Sequence, residues 1–86
     1  MQVSVELTLS PLQDDFEPPI IAFIKRLRSS GFKVIENPLS TQIYGDYDQL
    51  MPFLQGAMKH ALMDADRGLF FMKIVKSDRS QYEPHF

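Results

Sequence analysis

The chain has no cysteine and no tryptophan among its 86 residues. Without cysteine there can be no disulfide framework, no cysteine-based zinc site and no thiol catalysis, and the composition is compatible with a reducing compartment. No apolar run approaches the ~20 residues that a membrane-spanning helix needs, and the first residues show neither the basic nor the apolar region of a signal peptide. We therefore expect a cytoplasmic protein without membrane insertion.

The chain also lacks an excess of positive charge. Nine basic and eleven acidic residues give a net charge of −2. Nucleic acids and anionic lipids are recognised through a concentrated positive field, so neither is the expected partner. A neutral or cationic small molecule fits this balance better. The length allows one compact domain, which we expect over residues 1–78, followed by a polar C-terminal tail over residues 79–86.

Catalytic and metal-binding motifs are missing as well. The sequence contains no glycine-rich phosphate loop, no nucleophile elbow and no paired histidine and acid. His60 has no acidic or histidine partner at the spacing of metal ligands, and His85 lies in the tail. We expect a protein that is not an enzyme and that holds neither a metal nor a cofactor.

Hydrophobic patterning predicts six elements in the order strand, helix, strand, strand, helix, strand. The first strand shows complete alternation, and Pro18 and Pro19 are tolerated only in the first turn of a helix. Asp46 followed by Gln49 is typical of a helix start. The predicted elements are a strand over Gln2–Ser10, a helix from near Glu17, strands over Phe32–Glu36 and Leu39–Tyr44, a helix from Asp46 to near Asp64, and a strand over Leu69–Val75. The last strand is apolar enough that we expect it to be partly buried on both faces.

Right-handed connections fold this order into a ferredoxin-like α+β sandwich, a four-stranded antiparallel sheet with both helices on one face. The opposite face of the sheet is then left open. It carries polar and apolar side chains together, so we expect a second copy of the chain to cover it in a dimer or tetramer. The residues predicted on this open face are Ser4, Glu6, Thr8, Ser10, Phe71, Lys73 and Val75.

Polar side chains around the third strand are the candidate ligand contacts. Ser40 and Thr41 follow the Asn37-Pro38 break, where their hydroxyls can bond either a heteroaromatic ring or their own turn. Asn37 can donate to a ligand or build an Asx-turn, and Tyr44 can stack on a ring or pack in an interface. On the first strand, Ser10 belongs to the same predicted set.

Glu6 is the one charged candidate. Its carboxylate can accept a hydrogen bond from a ligand amine or balance a ligand cation, or it can form a cross-strand pair with Lys73.

Four segments together resemble the thiamine-binding, YkoF-like (MTH-type) family of small ferredoxin-like proteins. They are Val5-Glu6-Leu7-Thr8-Leu9-Ser10-Pro11-Leu12, Gly31-Phe32-Lys33-Val34, Asn37-Pro38-Leu39-Ser40-Thr41-Gln42-Ile43-Tyr44-Gly45-Asp46 and Lys76-Ser77-Asp78-Arg79. The resemblance implies non-enzymatic binding of thiamine or its hydroxymethylpyrimidine portion, oligomers, and a link to vitamin B1 uptake or salvage. It makes Thr41 the preferred ligand contact, whereas Asn37 and Ser40 depart from relatives that carry Gly and Asn there.

Two other functions remain open on this fold. An ACT-like structural or regulatory module would use oligomerisation as its main role and bind small ligands incidentally. An acylphosphatase-like enzyme is disfavoured, because the loop Leu12–Asp15 is acidic and lacks the arginine and glycines of a phosphate cradle.

Overall fold

The computed structural model describes residues 1–86 and contains six elements. The β1 strand pairs with both β3 and β4, and β3 pairs with β2, all antiparallel, so the strand order across the sheet is β2-β3-β1-β4. This arrangement confirms the ferredoxin-like α+β fold. The elements are β1 (Gln2–Pro11), α1 (Glu17–Arg28), β2 (Lys33–Glu36), β3 (Thr41–Asp46), α2 (Tyr47–Asp64) and β4 (Gly68–Val75).

The core lies between the helices and one face of the sheet. Alternation in β1 directs Val3, Val5 and Leu7 to this face, where each is 1% exposed. Side chains spaced three or four residues apart on the two helices pack against these β1 residues. The helix residues buried in this core cluster are Phe23, Leu27, Leu50, Leu54, Ala57 and Ala61.

The start of α2 is fixed from two directions. Asp46 lies at the N-cap, and its side chain accepts a hydrogen bond from the Asp48 backbone N–H at 3.1 Å. Its Oδ1 also accepts from the N-terminal amino group at 3.0 Å, and that bond is the main cause that lowers the pKa of the Asp46 carboxyl. The Met1 carbonyl accepts from the Tyr47 N–H at 2.8 Å, so the first residue of the chain is tied to the first turn of α2.

One sequence expectation was wrong: the third strand begins at Thr41 rather than Leu39, which is 86% exposed because Asn37 holds residues 37–40 in a turn. The last strand is partly buried on both faces, with Phe70 half-buried on the inner side and Val75 on the open face. Its other side chains are more exposed than its apolar composition suggests: Phe71 is 64% exposed and Ile74 is 44% exposed. The reason is that β4 lies at the edge of the sheet, where the helices cover only part of its inner side.

Neither helix combines the length and the apolar character that crossing a membrane would require.

Candidate functional site

A depression of about 450 Å³ lies on the open face of the sheet. Its floor comes from β1 and β3, one side from β4, and another side from the residues that follow β4. We call it the open-face pocket. Its polar and aromatic lining comprises Ser4, Glu6, Gln42, Tyr44, Lys73, Arg79 and Tyr82.

Strand register places these side chains together. Residues directly opposite each other in an antiparallel pair point to the same face. Glu6 is opposite Gln42 of β3 and Lys73 of β4. Ser4 is opposite Tyr44 on one side and Val75 on the other. The polar alternation of β1 therefore continues across three strands, and it gives the pocket a carboxylate, an amide and a phenol within two rows of the sheet.

Glu6 bonds within the chain and remains accessible. Its Oε2 accepts a hydrogen bond from the Ser40 hydroxyl at 3.0 Å, and its Oε1 lies 3.9 Å from the Lys73 ammonium. The Lys73 side chain is 71% exposed and that of Glu6 is 41% exposed. An ion pair of this length and exposure contributes little to stability. The cross-strand pair thus exists, and the carboxylate keeps lone pairs that a ligand can use.

Tyr44 presents a neutral phenol to the pocket. Its hydroxyl donates to the Gln42 side-chain oxygen at 3.0 Å. Burial raises the pKa of Tyr44, and the negative charges of Asp78 and Glu6 raise it further. The hydroxyl consequently stays protonated at neutral pH, and the ring offers an apolar surface that carries no charge.

Asn37 and Ser40 lie in the turn before β3. The Asn37 side-chain oxygen accepts from the backbone N–H groups of Leu39 and Ser40, at 3.3 and 3.1 Å. Asn37 therefore forms an Asx-turn, which is one of the two roles that its sequence position allowed. Ser40 directs its hydroxyl to Glu6 and so contacts the pocket only through that carboxylate.

Thr41 and Ser10 lie away from the pocket. Thr41 is 7% exposed and is opposite Leu7, so its side chain belongs to the helix-covered face of the sheet. Ser10 shares the open face with Glu6 but lies four residues farther along β1, about 13 Å away at the rise of a strand, opposite Leu69. Of the six predicted contacts, the structure brings Glu6 and Tyr44 into the pocket, with Ser40 behind Glu6.

Three polar or aromatic lining residues, Gln42, Arg79 and Tyr82, were predicted neither as ligand contacts nor on the open face. Gln42 could have been found by continuing the alternation of β3 two residues back from Tyr44. Arg79 and Tyr82 could not, because they belong to the segment after β4, which has no periodicity and was expected to be a polar tail. Their approach to the pocket depends on how that segment turns back over β1.

No group of three or more His, Asp or Glu side chains is arranged to hold a metal ion. The groups around the pocket are one carboxylate, one amide, two phenols, the Ser4 hydroxyl and the cations of Lys73 and Arg79, which can form hydrogen bonds and ion pairs with a ligand.

Comparison with known proteins relates the whole domain to one family. The family model described as thiamine-binding protein matches residues 5–84. Comparison with curated proteins found no match.

Several solved structures share the fold. A protein of Streptococcus pneumoniae is 26% identical over 94% of this chain and 92% of its own, with a TM-score of 0.84. A Thermotoga maritima structure, described as a candidate thiamine biosynthesis/salvage protein, is 20% identical over 90% and 85% of the two chains, with a TM-score of 0.81. A hypothetical protein of Methanocaldococcus jannascii is 24% identical over 95% and 84%, with a TM-score of 0.75.

Proposed function

We propose a function from one premise: the chain belongs to the family of thiamine-binding proteins. It binds thiamine, or the hydroxymethylpyrimidine moiety of thiamine, in the open-face pocket and performs no chemistry on it. The observation that carries the proposal is the position of Glu6 and Tyr44 in one cavity of about 450 Å³, a size within the usual range of small-molecule sites.

The pocket holds one anionic residue, Glu6, beside the cations of Lys73 and Arg79, so Glu6 is the group that can meet a ligand cation. Thiamine carries a permanent positive charge on its thiazolium ring, and the exposed carboxylate of Glu6 can balance it. Its ring can also lie against the aromatic faces of Tyr44 and Tyr82, which attract cations through their π-systems. In this arrangement Ser40 steadies the Glu6 carboxylate, and Asn37 steadies Ser40.

The aminopyrimidine portion needs hydrogen-bond donors and acceptors. The Gln42 amide nitrogen can donate and its oxygen keeps one lone pair, and the Tyr44 hydroxyl, whose proton goes to Gln42, adds an acceptor. Since Thr41 faces the helices, it makes no contact with the ligand in this proposal. Ser10, on the open face beyond the pocket, makes none either.

We place this binding in the cytoplasm, as part of vitamin B1 uptake or salvage. The description of the Thermotoga maritima protein as a candidate thiamine biosynthesis/salvage protein agrees with that role. The lining residues also agree with binding alone, because they include no nucleophile paired with a general base.

Calorimetric titration of the purified chain with thiamine, hydroxymethylpyrimidine and the isolated thiazole alcohol tests the proposal. We expect saturable binding of the first two. No heat and no thermal stabilisation by thiamine at millimolar concentration would overturn it. Tighter binding of the thiazole alcohol than of hydroxymethylpyrimidine would contradict the role of the pyrimidine.

We also propose that the chain forms a homo-oligomer. The support is β4, an edge strand with an unpaired side, on which Phe71 is 64% exposed and Ile74 is 44% exposed. A second copy would remove this apolar surface from water. Sedimentation velocity from micromolar to millimolar concentration measures the assembly, and a monomer throughout that range would contradict it.

An ACT-like assembly module is the second candidate function, and the same exposed β4 residues favour it. The two candidates differ in whether ligand and assembly are coupled. If thiamine does not bind and the oligomer persists, assembly is the function. If thiamine binds with equal affinity to wild type and to a Phe71→Ser variant that no longer assembles, binding is the function.

A further inference from the structure

The residues that follow β4 form a wall of the open-face pocket. We call residues 77–82 the C-terminal strap. The last pair of the β1–β4 ladder is Ser4 opposite Val75, so the strap begins where strand pairing stops. From there the chain turns back, with the Ser77 N–H donating to the Val75 carbonyl at 2.9 Å. Its side chains Arg79 and Tyr82 line the pocket.

One side chain of the sheet holds the strap. The Ser4 hydroxyl donates to the Ser77 carbonyl at 2.7 Å and accepts from the Arg79 backbone N–H at 2.8 Å. Ser4 is 8% exposed. A serine hydroxyl has a single proton to donate, so the bond to Ser77 leaves none for a ligand. Although Ser4 borders the pocket, its polar group is committed to the strap.

Beyond Arg79 no hydrogen bond joins the strap to the sheet. The remaining bonds are internal: the Ser80 N–H donates to the Asp78 carboxylate at 2.9 Å, and the Tyr82 N–H donates to the Arg79 carbonyl at 3.2 Å. These bonds shape the strap into a turn, and the hydrogen bonds from the side chain and the backbone N–H of Ser80 lower the pKa of Asp78. The position of the whole turn over the pocket depends on the two bonds that Ser4 makes.

We propose that Ser4 is a positioning residue, which fixes the C-terminal strap so that Tyr82 and Arg79 close the pocket over the ligand. The inference rests on the proposed function for the identity of the ligand. Without Ser4 the strap samples many conformations, and binding then has to order it, which weakens affinity. Ligand and strap therefore stabilise each other.

A double-mutant cycle with thiamine as the ligand tests the coupling. We expect Ser4→Ala to raise the dissociation constant about tenfold, and Tyr82→Ala to raise it by a similar factor. If Ser4 acts by presenting Tyr82, the double variant binds no more than about twofold worse than the weaker single variant. Multiplying effects, giving a loss of about 100-fold, would overturn the proposal.

Thr8→Ala is the matched control. Thr8 is another hydroxyl residue on the open face of β1, and it donates to the Leu39 carbonyl at 3.3 Å, outside the pocket. We expect its affinity for thiamine to stay within about twofold of wild type. An equal loss in Thr8→Ala and Ser4→Ala would show a general effect on β1 and contradict the role of Ser4.

Trypsin cleavage distinguishes local release of the strap from weakened folding of the whole variant. The strap contains a single trypsin site, after Arg79, and Lys59 on α2 reports unfolding of the core. We expect cleavage after Arg79 to be at least fivefold faster in Ser4→Ala than in wild type, with cleavage after Lys59 unchanged. Saturating thiamine should slow the Arg79 cleavage of wild type at least fivefold.

The outcomes separate the two proposals. If wild type fails to bind thiamine, the proposed function fails, yet faster Arg79 cleavage in Ser4→Ala without ligand still establishes that Ser4 holds the C-terminal strap in place. If wild type binds thiamine while Arg79 is cleaved equally fast in both proteins, the positioning role of Ser4 is wrong and the proposed function stands.

Discussion

The two faces of the sheet are built from the same strands, yet they differ in almost every physical respect. Ile43 and Tyr44 are neighbours in β3: Ile43 is fully buried beneath the helices, whereas Tyr44 borders a pocket that opens to solvent. On the helix-covered face the side chains are apolar and interlocked. On the open face hydroxyls, amides and charges bond to one another and to the C-terminal strap, beside apolar residues such as Phe71 and Val75.

This difference divides the tasks of the fold. The helix-covered face supplies the free energy of folding, because burial of apolar surface is the dominant stabilising term. The open face contributes little to stability and is free to carry binding groups. Substitutions on either face test this division. Each should change either the free energy of unfolding or the affinity for the ligand and leave the other unchanged.

The largest expected effect is on the helix-covered face. Leu7 is 1% exposed, so Leu7→Ala should lower the free energy of unfolding by about 2–5 kcal/mol, measured by urea denaturation. Its neighbour Thr8 points to the other face, and Thr8→Ala should lower it by less than about 1 kcal/mol. Similar losses in both variants would contradict the division of the sheet.

The second effect tests how tightly that face is packed. A Cβ at Gly45 would lie 2.7 Å from Cδ1 of Phe32, a ring that also contacts Phe53, with centroids 5.7 Å apart. Gly45→Ala should therefore lower the free energy of unfolding by about 1–3 kcal/mol. Gly56 is the matched control: it is helical with open space around it, so Gly56→Ala should raise the free energy of unfolding by about 0.5–1 kcal/mol. A stabilised Gly45→Ala variant would show that Phe32 moves freely.

The third effect belongs to the open face. Glu6→Gln keeps the shape and removes the charge, so the dissociation constant for thiamine should rise about tenfold, which corresponds to ~1.4 kcal/mol. Because Glu6 is partly exposed and its pair with Lys73 is long, the free energy of unfolding should change by less than about 1 kcal/mol. Unchanged calorimetric affinity would remove Glu6 from the site.

The fourth effect is a pH dependence that arises outside both the core and the pocket. Bidentate hydrogen bonds from Arg28, at 2.6 and 2.7 Å, are the main cause that lowers the pKa of Glu36. The folded pKa is below the unfolded one, so the pair stabilises the fold above the unfolded pKa, and this contribution is lost as the pH falls through the lowered folded pKa.

Denaturation curves between pH 2 and pH 7 measure this contribution. Glu36→Gln should show a smaller loss of stability on acidification than wild type, with the residual loss arising from groups such as Asp46, whose pKa is also lowered. The affinity of Glu36→Gln for thiamine at pH 7 should equal that of wild type. Identical pH dependence in the two proteins would contradict the assignment.

The smallest expected effect is the most informative for the ligand. Thr41 faces the helices, so Thr41→Val should leave the dissociation constant for thiamine within about twofold of wild type. A loss as large as that of Glu6→Gln would mean that the ligand reaches the other side of β3, and the open-face pocket would not be the site.

Much of the fold could be predicted from local pattern. The alternation of β1 and the Pro18-Pro19 pair at the start of α1 are rules of single elements, and the structure confirms both. The exposure of β4 could not be predicted, since an edge strand and a central strand have the same apolar composition. The difference lies in how many neighbours the strand has, which is set by topology.

The site was predicted less completely than the fold. Glu6 lies on the open face because β1 alternates, and alternation is visible in the sequence. Thr41 could have been placed on the helix-covered face by continuing the alternation of β3 two residues back from Ile43, and its pairing with Leu7 agrees. Ser40 could not be placed in this way, because it precedes β3 in the turn that Asn37 holds, where alternation does not apply.

Residue order alone thus fixed the identity of the elements and the polar character of the open face, because hydrophobic periodicity and turn chemistry act between near neighbours. Tertiary structure decided which polar residues meet. Register carried Glu6, Gln42 and Tyr44 to one place, and the two bonds of Ser4 brought Arg79 and Tyr82 over them from the far end of the chain. Hydrogen bonds between residues more than 70 positions apart cannot be read from hydrophobic periodicity, because periodicity relates only residues that are close in sequence.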